Sequence, residues 1–155
     1  MSIEIRKGTQ ADIIEALNLV KELATYEKAP DEVEVTPQEM LEWGFGADKQ
    51  FDFFVATDNY VIVGLALYYF KYSTWKGKCL FLEDIIVTES QRGKGMGKLL
   101  FDKVVEVSKE MKVRRMEWQV LDWNTPAIEF YKKYNATLDE DWVNCKLTDQ
   151  QLEKM

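Results

Sequence analysis

The chain contains no histidine. That removes Ser-His-Asp and Cys-His catalysis and argues against a zinc enzyme, since imidazole is the usual base in the first two and a usual ligand in the third. Cysteine is almost as scarce. Cys79 and Cys145 stand far apart in no metal or redox motif, which fits buried or half-buried thiols in a reducing compartment. Only 3 prolines and 8 glycines occur in 155 residues, with no linker, repeat or low-complexity tract. No apolar run reaches membrane-spanning length and no signal peptide precedes the first strand, so a cytoplasmic protein with no membrane partner is expected. Basic surplus is missing as well. A formal net charge of -7 argues against binding nucleic acid through a basic face. The same charge permits a cationic substrate without requiring one.

What is present is enough for a core. At 46% hydrophobic and 13% aromatic, the chain can fold as one domain over residues 1–155 without disulfides or metal. Ile3 and Ile5 alternate with polar residues and suggest a strand. Thr9 can cap a helix with an apolar face of Ile13, Leu17, Val20 and Leu23 or Ala24. Thr36-Pro37-Gln38-Glu39 is a capping box with proline at the first helical position, opening a short helix that ends near Gly44. Residues 51–57 and 60–72 read as a hairpin with its turn at Asp58-Asn59. A strand over 78–87 follows, then a helix presenting Leu99, Leu100, Val104 and Val107. Residues 115–120 form another strand, and Asn124-Thr125-Pro126 opens a helix through Tyr134. A late strand is expected over Trp142 to Leu147, and Thr148 can cap a terminal helix. The order β-α-α-β-β-β-α-β-α-β implies an α/β protein of the α+β kind, with a mixed antiparallel and parallel sheet flanked by helices. The central hairpin rules out a uniformly parallel doubly wound sheet.

Residues 80–100 carry most of the functional information. An apolar strand bearing Glu83 and Asp84 runs into Arg92-Gly93-Lys94-Gly95-Met96-Gly97-Lys98, and this loop opens a helix. Glycines let main-chain amides turn toward a ligand, and a helix N-terminus adds unpaired N–H groups and the positive end of its dipole. With Arg92, Lys94 and Lys98 nearby, a pyrophosphate is the natural guest. The loop is not a Walker A motif, because Gly97-Lys98 is followed by Leu99. Nor is it a Rossmann fingerprint. The third glycine position falls on Lys98 or Leu100, and the loop lies deep in the chain. A plain tight turn would also use these glycines.

This strand, loop and helix resemble the GNAT N-acetyltransferase superfamily, whose acetyl-CoA pyrophosphate site has the form Gln/Arg-x-x-Gly-x-Gly/Ala at such a junction. The residues Lys21-Glu22-Leu23-Ala24-Thr25-Tyr26-Glu27, Gly44-Phe45-Gly46, Tyr68-Tyr69-Phe70, Leu82-Glu83-Asp84 and Trp123-Asn124-x-Pro126-x-x-x-Phe130-Tyr131-Lys132 are similar to its spermidine/spermine (diamine) branch. Leu121-Asp122-Trp123-Asn124 leans toward members acting on thialysine and related amines.

The resemblance implies the GNAT fold and a homodimer. It also implies acetyl transfer from acetyl-CoA to a primary amine of a small molecule. A polyamine or diamine is the first expectation and a thialysine-like amino acid the alternative. It implies that Ile85, Ile86 and Val87 pair with the pantetheine arm. Arg92, Gly93, Lys94, Gly95, Met96, Gly97 and Lys98 would hold the pyrophosphate. Asn124, Thr125, Pro126 and Ala127 would contact the cofactor. Tyr131 would be the general acid. Tyr26, Glu27, Glu83, Asp84, Glu140 and Trp142 would line the amine site, with Glu117, Trp118 and Gln119 as a further stretch. Asn135 stands where the family usually has glycine, and asparagine tolerates the left-handed conformation the turn needs.

The chemistry can be stated from the residues. An alkyl amine, with a pKa of about 10.4 for the lysine model, must lose a proton before it attacks. Glu83 is the candidate to take it, directly or through water. Asp84 points to the opposite face if the strand is regular, and a bulge would let both contribute. A main-chain N–H near Ile85 is the candidate oxyanion donor. No cysteine sits in a basic pocket, which favours direct transfer in a ternary complex. Each residue also has a plainer role. Glu22 and Glu27 alone would be a solvated helix face, Tyr131 a core aromatic, and the tryptophans packing. Two other classes stand beside the enzyme: a CoA-binding module without catalysis, and a Rossmann-type oxidoreductase that the loop disfavours.

Overall fold

Five strands and five α-helices form along residues 2–155, the residues described in this computed structural model. They fall into two compact units, residues 1–119 and 120–155. The first unit holds β1 Ile3–Lys7, α1 Ile13–Tyr26, α2 Pro37–Phe45, β2 Asp52–Asp58, β3 Val61–Ser73, β4 Gly77–Val87, α3 Met96–Glu110 and β5 Arg115–Glu117. Its sheet runs β1-β2-β3-β4-β5, antiparallel throughout except for the parallel β4–β5 pair. This is the expected mixed sheet. The β2–β3 turn lies at Asn59 and Tyr60, both at positive φ (50° and 70°), one residue later than Asp58-Asn59. Two positive φ values match the right-handed twist of the flanking strands, so Asp58 stays in its strand.

Period-two alternation builds one core on the α1/α2 face of the sheet. Phe53 and Val55 of β2, Leu65 and Leu67 of β3, and Ile86 of β4 pack with Ile13, Ala16, Leu17, Leu19 and Met40. Leu100, Phe101 and Val104 of α3 are also buried. Gly64 permits the close approach of α3, because a Cβ there would lie 3.0 Å from Leu100 Cδ1 and 3.2 Å from the Ile86 carbonyl oxygen. Leu100 and Val104 of the expected α3 stripe are buried, whereas Leu99 is 44% exposed and Phe101 joins the core in its place. Cys79 is buried, whereas Cys145 is exposed and so departs from its expected burial.

Local capping follows the side chains. Thr36 N–H donates to Glu39 Oε1 (3.0 Å) and Glu39 N–H to Thr36 Oγ1 (3.1 Å), the reciprocal box that starts α2. Thr9 instead precedes a 3-10 turn over Gln10–Asp12, and α1 begins at Ile13. Asp12, 5% exposed, accepts from Thr9 N–H (2.7 Å) and from both Arg6 terminal nitrogens (2.7 and 3.0 Å). This fork ties β1 to the entry of α1.

The second unit holds α4 Thr125–Lys132 and α5 Asp149–Glu153. Asn124 caps α4 through Ala127 N–H (3.4 Å), and Thr148 caps α5 through Gln151 N–H (3.2 Å). Asn135 adopts φ 58°, the left-handed conformation expected of it. Two strand readings need correction. β5 stops at Glu117 rather than Val120, and residues 142–147 form no strand. The alternation of Val143, Cys145 and Leu147 suits a pleat, but no strand among the described residues pairs with it, and Val143 is 83% exposed. Without a ladder partner, alternation alone does not make a strand. No helix among the described residues is long and apolar enough to cross a membrane.

The hydrogen bond from Arg6 holds the Asp12 carboxyl below its ordinary value of 3.8, burial opposes this, and the bond from Thr9 N–H assists. A lowered folded-state value means that Asp12 stabilises the fold above its ordinary pKa. That contribution disappears as pH falls through the folded-state value. Asp12→Asn is therefore expected to cost about 1–3 kcal/mol at neutral pH in urea unfolding, with the difference shrinking below about pH 4.

Candidate active site

The glycine loop joins β4 to α3 through a 3-10 turn over Glu89–Gln91. Gly93 and Gly95 both sit at φ +83°, and a Cβ placed on either would meet nothing within 4 Å. Glycine is required there by the left-handed backbone rather than by crowding, so the space over the loop stays open. Gly95 is the N-cap of α3, no side chain caps the helix, and the first intrahelical bond runs from Leu99 N–H to the Gly95 carbonyl (3.1 Å). The main-chain N–H groups of Met96, Gly97 and Lys98 therefore belong to an uncapped first turn, a ready anion site. The loop's cations already hold oxygens. Arg92 Nε donates to the Val87 carbonyl (2.9 Å), Lys94 to Gln91 Oε1 (2.6 Å) and Lys98 to Asp102 Oδ2 (2.6 Å). The main-chain amides and the remaining donors of these cations together fit a pyrophosphate.

β4 leaves one edge open just before the loop. β5 pairs with it only at Cys79, Leu80 and Phe81, and no strand among the described residues pairs with that edge from Leu82 to Val87. Ile85, Ile86 and Val87 lie along this stretch, where an extended ligand can add as a strand would.

The acids meet at a bulge. Leu67 of β3 faces Asp84, and the next residue, Tyr68, faces Leu82, so Glu83 is an extra residue in β4. This is the bulged alternative, in which the two acids need not occupy opposite faces. Glu83 is exposed and accepts from the Tyr69 hydroxyl (3.3 Å). Burial and the Glu83 charge push the Tyr69 phenol up to about 12, which keeps it a donor. Asp84 is half-buried beside Leu67, and its carboxyl is pushed up to about 7, first by burial, then by the charges of Glu83 and Glu27. Burial also raises Glu27, at the end of α1. Three carboxylates therefore share one region, which suits an ammonium group. No group of histidines, cysteines or acids among the described residues is placed to hold a metal ion.

The other expected residues are placed by their own elements. Glu117 is held by Lys71 (3.4 Å) and Arg115 (3.1 Å). Trp118 turns the other way, edge-on to the buried Phe101 of α3 at 5.2 Å between ring centres. Gln119 is exposed at the end of the first unit. In the second unit, Asn124, Thr125, Pro126 and Ala127 form the first turn of α4. Tyr131 is buried on α4 with its ring edge-on to Phe130 (5.5 Å). Glu140 and Trp142 are exposed on irregular backbone.

Sequence reasoning missed Tyr69, Thr88 and Glu22. Glu22 accepts from the Thr88 hydroxyl (2.7 Å) and from Glu89 N–H (3.1 Å), and Arg92 lies 3.8 Å from it. Tyr26, one turn later on α1, has the Arg92 guanidinium 5.3 Å from its ring centre. The i, i+4 spacing of Glu22 and Tyr26 was the available signal. The half-exposed Arg92 pair adds little, at most about 1 kcal/mol. Each hydrogen bond to the carboxylate contributes about 1.5–3 kcal/mol.

Comparison with known proteins bears on the family and the fold. A model of the acetyltransferase (GNAT) family matches residues 15–136. The chain belongs to that family. It is 36% identical over 151 residues to thialysine N-epsilon-acetyltransferase of Bos taurus, covering 90% of this chain and 89% of that protein. It is 33% identical to spermidine/spermine N(1)-acetyltransferase-like protein 1 of Homo sapiens, over 90% of this chain and 21% of that protein. A solved integron cassette protein from the mobile metagenome of V. cholerae shares the fold, with a TM-score of 0.80, 22% identity and coverage of 99% and 97% of the two chains. This GNAT chain is accordingly an acetyltransferase, and its family uses acetyl-CoA.

The raised Asp84 carboxyl bears on stability. Its folded-state value of about 7 exceeds its ordinary 3.8, so the folded state keeps the proton longer than the unfolded chain. Stability should fall as pH rises between those values. Asp84→Asn is expected to flatten this fall and to be about 1–2 kcal/mol more stable than wild type near pH 8, read by urea unfolding at several pH values.

Proposed function

We propose that this GNAT protein transfers the acetyl group of acetyl-CoA to a primary amine of a small molecule. One observation carries the reading: β4 bears the acid cluster at its bulge and ends in the uncapped anion-binding turn of α3. Acetyl-CoA supplies an activated acyl group. The main-chain amides of residues 93–98 hold its pyrophosphate, and the open edge at Ile85 to Val87 aligns its extended arm. Glu27, Glu83 and Asp84 bind the ammonium, and Glu83, exposed beside the Tyr69 hydroxyl, takes its proton. The Ile85 N–H is the candidate donor to the developing oxyanion. Tyr131 gives a proton to the departing thiolate. That role is carried over from the family's tyrosine on α4.

Two amine classes remain in view, each with its own support. The bovine relative, matched over nearly its full length, is named for thialysine, which favours the side-chain amine of an amino acid. The three clustered carboxylates suit a polycation such as a polyamine, as does the human spermidine/spermine-like relative. A homodimer is part of the same proposal and is supported by the family resemblance.

The test is an amine panel with thiol release from acetyl-CoA as the readout. Release with thialysine-type amines or with polyamines is expected. CoA binding without release for any amine would leave a binding module instead. Tyr131→Phe should lower kcat about 100-fold with little change in CoA affinity, and Glu83→Gln should raise the amine KM. Wild-type turnover by Tyr131→Phe, with chemistry limiting, would remove the tyrosine from the proton transfer.

A further inference from the structure

Glu22, to which the proposed reaction gives no role, is engaged on both carboxylate oxygens. Oε1 accepts from the Thr88 hydroxyl (2.7 Å), and Oε2 accepts from Glu89 N–H (3.1 Å). These donors open the turn that leads into the glycine loop. Thr88 N–H donates to the Val63 carbonyl of β3 (2.8 Å), so the turn is fixed to the sheet on one side and to α1 on the other. Arg92, the first residue of the loop, is held in the same way. Its Nε donates to the Val87 carbonyl (2.9 Å), its NH2 lies 3.8 Å from Glu22 Oε2, and its guanidinium stands 5.3 Å from the Tyr26 ring centre.

From this geometry we infer that Glu22 is a positioning residue for the pyrophosphate loop: it braces the segment from Thr88 to Arg92 against α1 and so aims the amides of residues 93–98. The inference rests on the proposed use of that loop to hold CoA.

A brace matters at the entry of the loop, because its far end is pinned by the buried Met96 while the two glycines between have no packed side chain of their own. Gly93 and Gly95 sit at left-handed φ with open space around them, so little packing fixes their orientation. An unbraced glycine segment samples many backbone states, and ordering it would draw on the binding free energy of the ligand. The placement has an electrostatic cost. An acid near a pyrophosphate site opposes the ligand's charge, so Glu22 as a bystander and Glu22 as a brace predict opposite signs when it is removed. The short bonds to Thr88 and Glu89 decide for the brace, since they fix backbone geometry, whereas a half-exposed charge is screened by water. Helix α1 also carries Tyr26 and Glu27 one turn further on, which places the brace and part of the candidate amine site on one rigid element.

The experiment is calorimetric titration of the full-length protein with CoA, comparing wild type, Glu22→Ala and Thr88→Val. Glu22→Ala should raise the CoA Kd about tenfold and Thr88→Val about threefold, as expected for losing both or one of these bonds. S-acetylpantetheine lacks the pyrophosphate, and its kcat/KM should be the same for all three proteins. A Kd that is unchanged or tighter in Glu22→Ala would overturn the brace. An equal loss with S-acetylpantetheine would do so as well, by showing general damage rather than a loop effect. Thr88→Val keeps the acid and changes one hydroxyl, so it remains informative if Glu22→Ala folds poorly. If wild type fails to bind CoA, the proposed function falls together with this inference. Wild-type binding with unaffected variants overturns the inference alone.

Discussion

One extra residue in one strand is the constraint on which the candidate site depends. Between Leu67 and Tyr68 on β3, β4 supplies three residues, Leu82, Glu83 and Asp84, instead of two. In a regular strand these neighbouring acids would lie on opposite faces. The bulge releases Glu83 toward solvent and the Tyr69 hydroxyl while Asp84 keeps its place beside Leu67. It also increases local twist, and the β4–β5 pairing ends at Phe81, on the near side of the bulge. The open edge beyond that point and the acid cluster are thus adjacent along the same strand, followed by the anion-binding turn.

Charge is distributed along this short stretch in opposite senses. The carboxylates of Glu27, Glu83 and Asp84 stand at the bulge, and the loop at the far end of β4 offers backbone N–H groups. The loop's basic side chains are matched by nearby oxygens: Arg92 by Val87 and Glu22, Lys94 by Gln91, and Lys98 by Asp102. Recognition of an anion through main-chain dipoles demands that the backbone be held in shape. Glu22 and Thr88 meet that demand from outside the loop. In the proposed reaction an anionic cosubstrate and a cationic amine would be bound by neighbouring parts of one element.

Much of this was legible in the residues themselves. The capping box at Thr36, the helix after the glycine loop, the hairpin and the mixed sheet follow from patterns that depend on neighbours in sequence. The misreadings share a physical origin. Val143, Cys145 and Leu147 alternate as a strand does, but a strand exists only where another edge accepts its hydrogen bonds, and local pattern does not contain that information. Leu99 looked equivalent to Leu100 because a stripe on a helix is defined to within a residue until its partner, here Gly64 on the sheet, is known. Glu22 read as a solvated helix face because its partners, Thr88 and Glu89, lie more than sixty residues away. Tyr131 and the first turn of α4 remain assigned through family likeness, and the geometry of their own unit shows only a capped helix with a buried tyrosine.

The absence of histidine, which first narrowed the chemistry, finds its counterpart in Asp84. A reaction that moves a proton off an amine near neutral pH benefits from a group titrating close to that pH, and imidazole, at about 6.5, is the side chain that does so unaided. Here burial, reinforced by the charges of Glu83 and Glu27, brings an aspartate to about 7. In the proposed reaction the same environment would bind the cation. When an ammonium enters, its charge offsets that of the neighbouring acids and favours ionised Asp84, so the cluster is most receptive when it is most anionic. In the proposed reaction the proton set free by the bound amine is released beside Asp84, whose affinity for it has been raised by burial and by its acidic neighbours. A histidine at the same place would lose its own positive form to burial and would gain it back only from the acids beside it. In the proposed reaction a carboxylate among carboxylates performs both tasks, binding and proton acceptance, with a single kind of side chain.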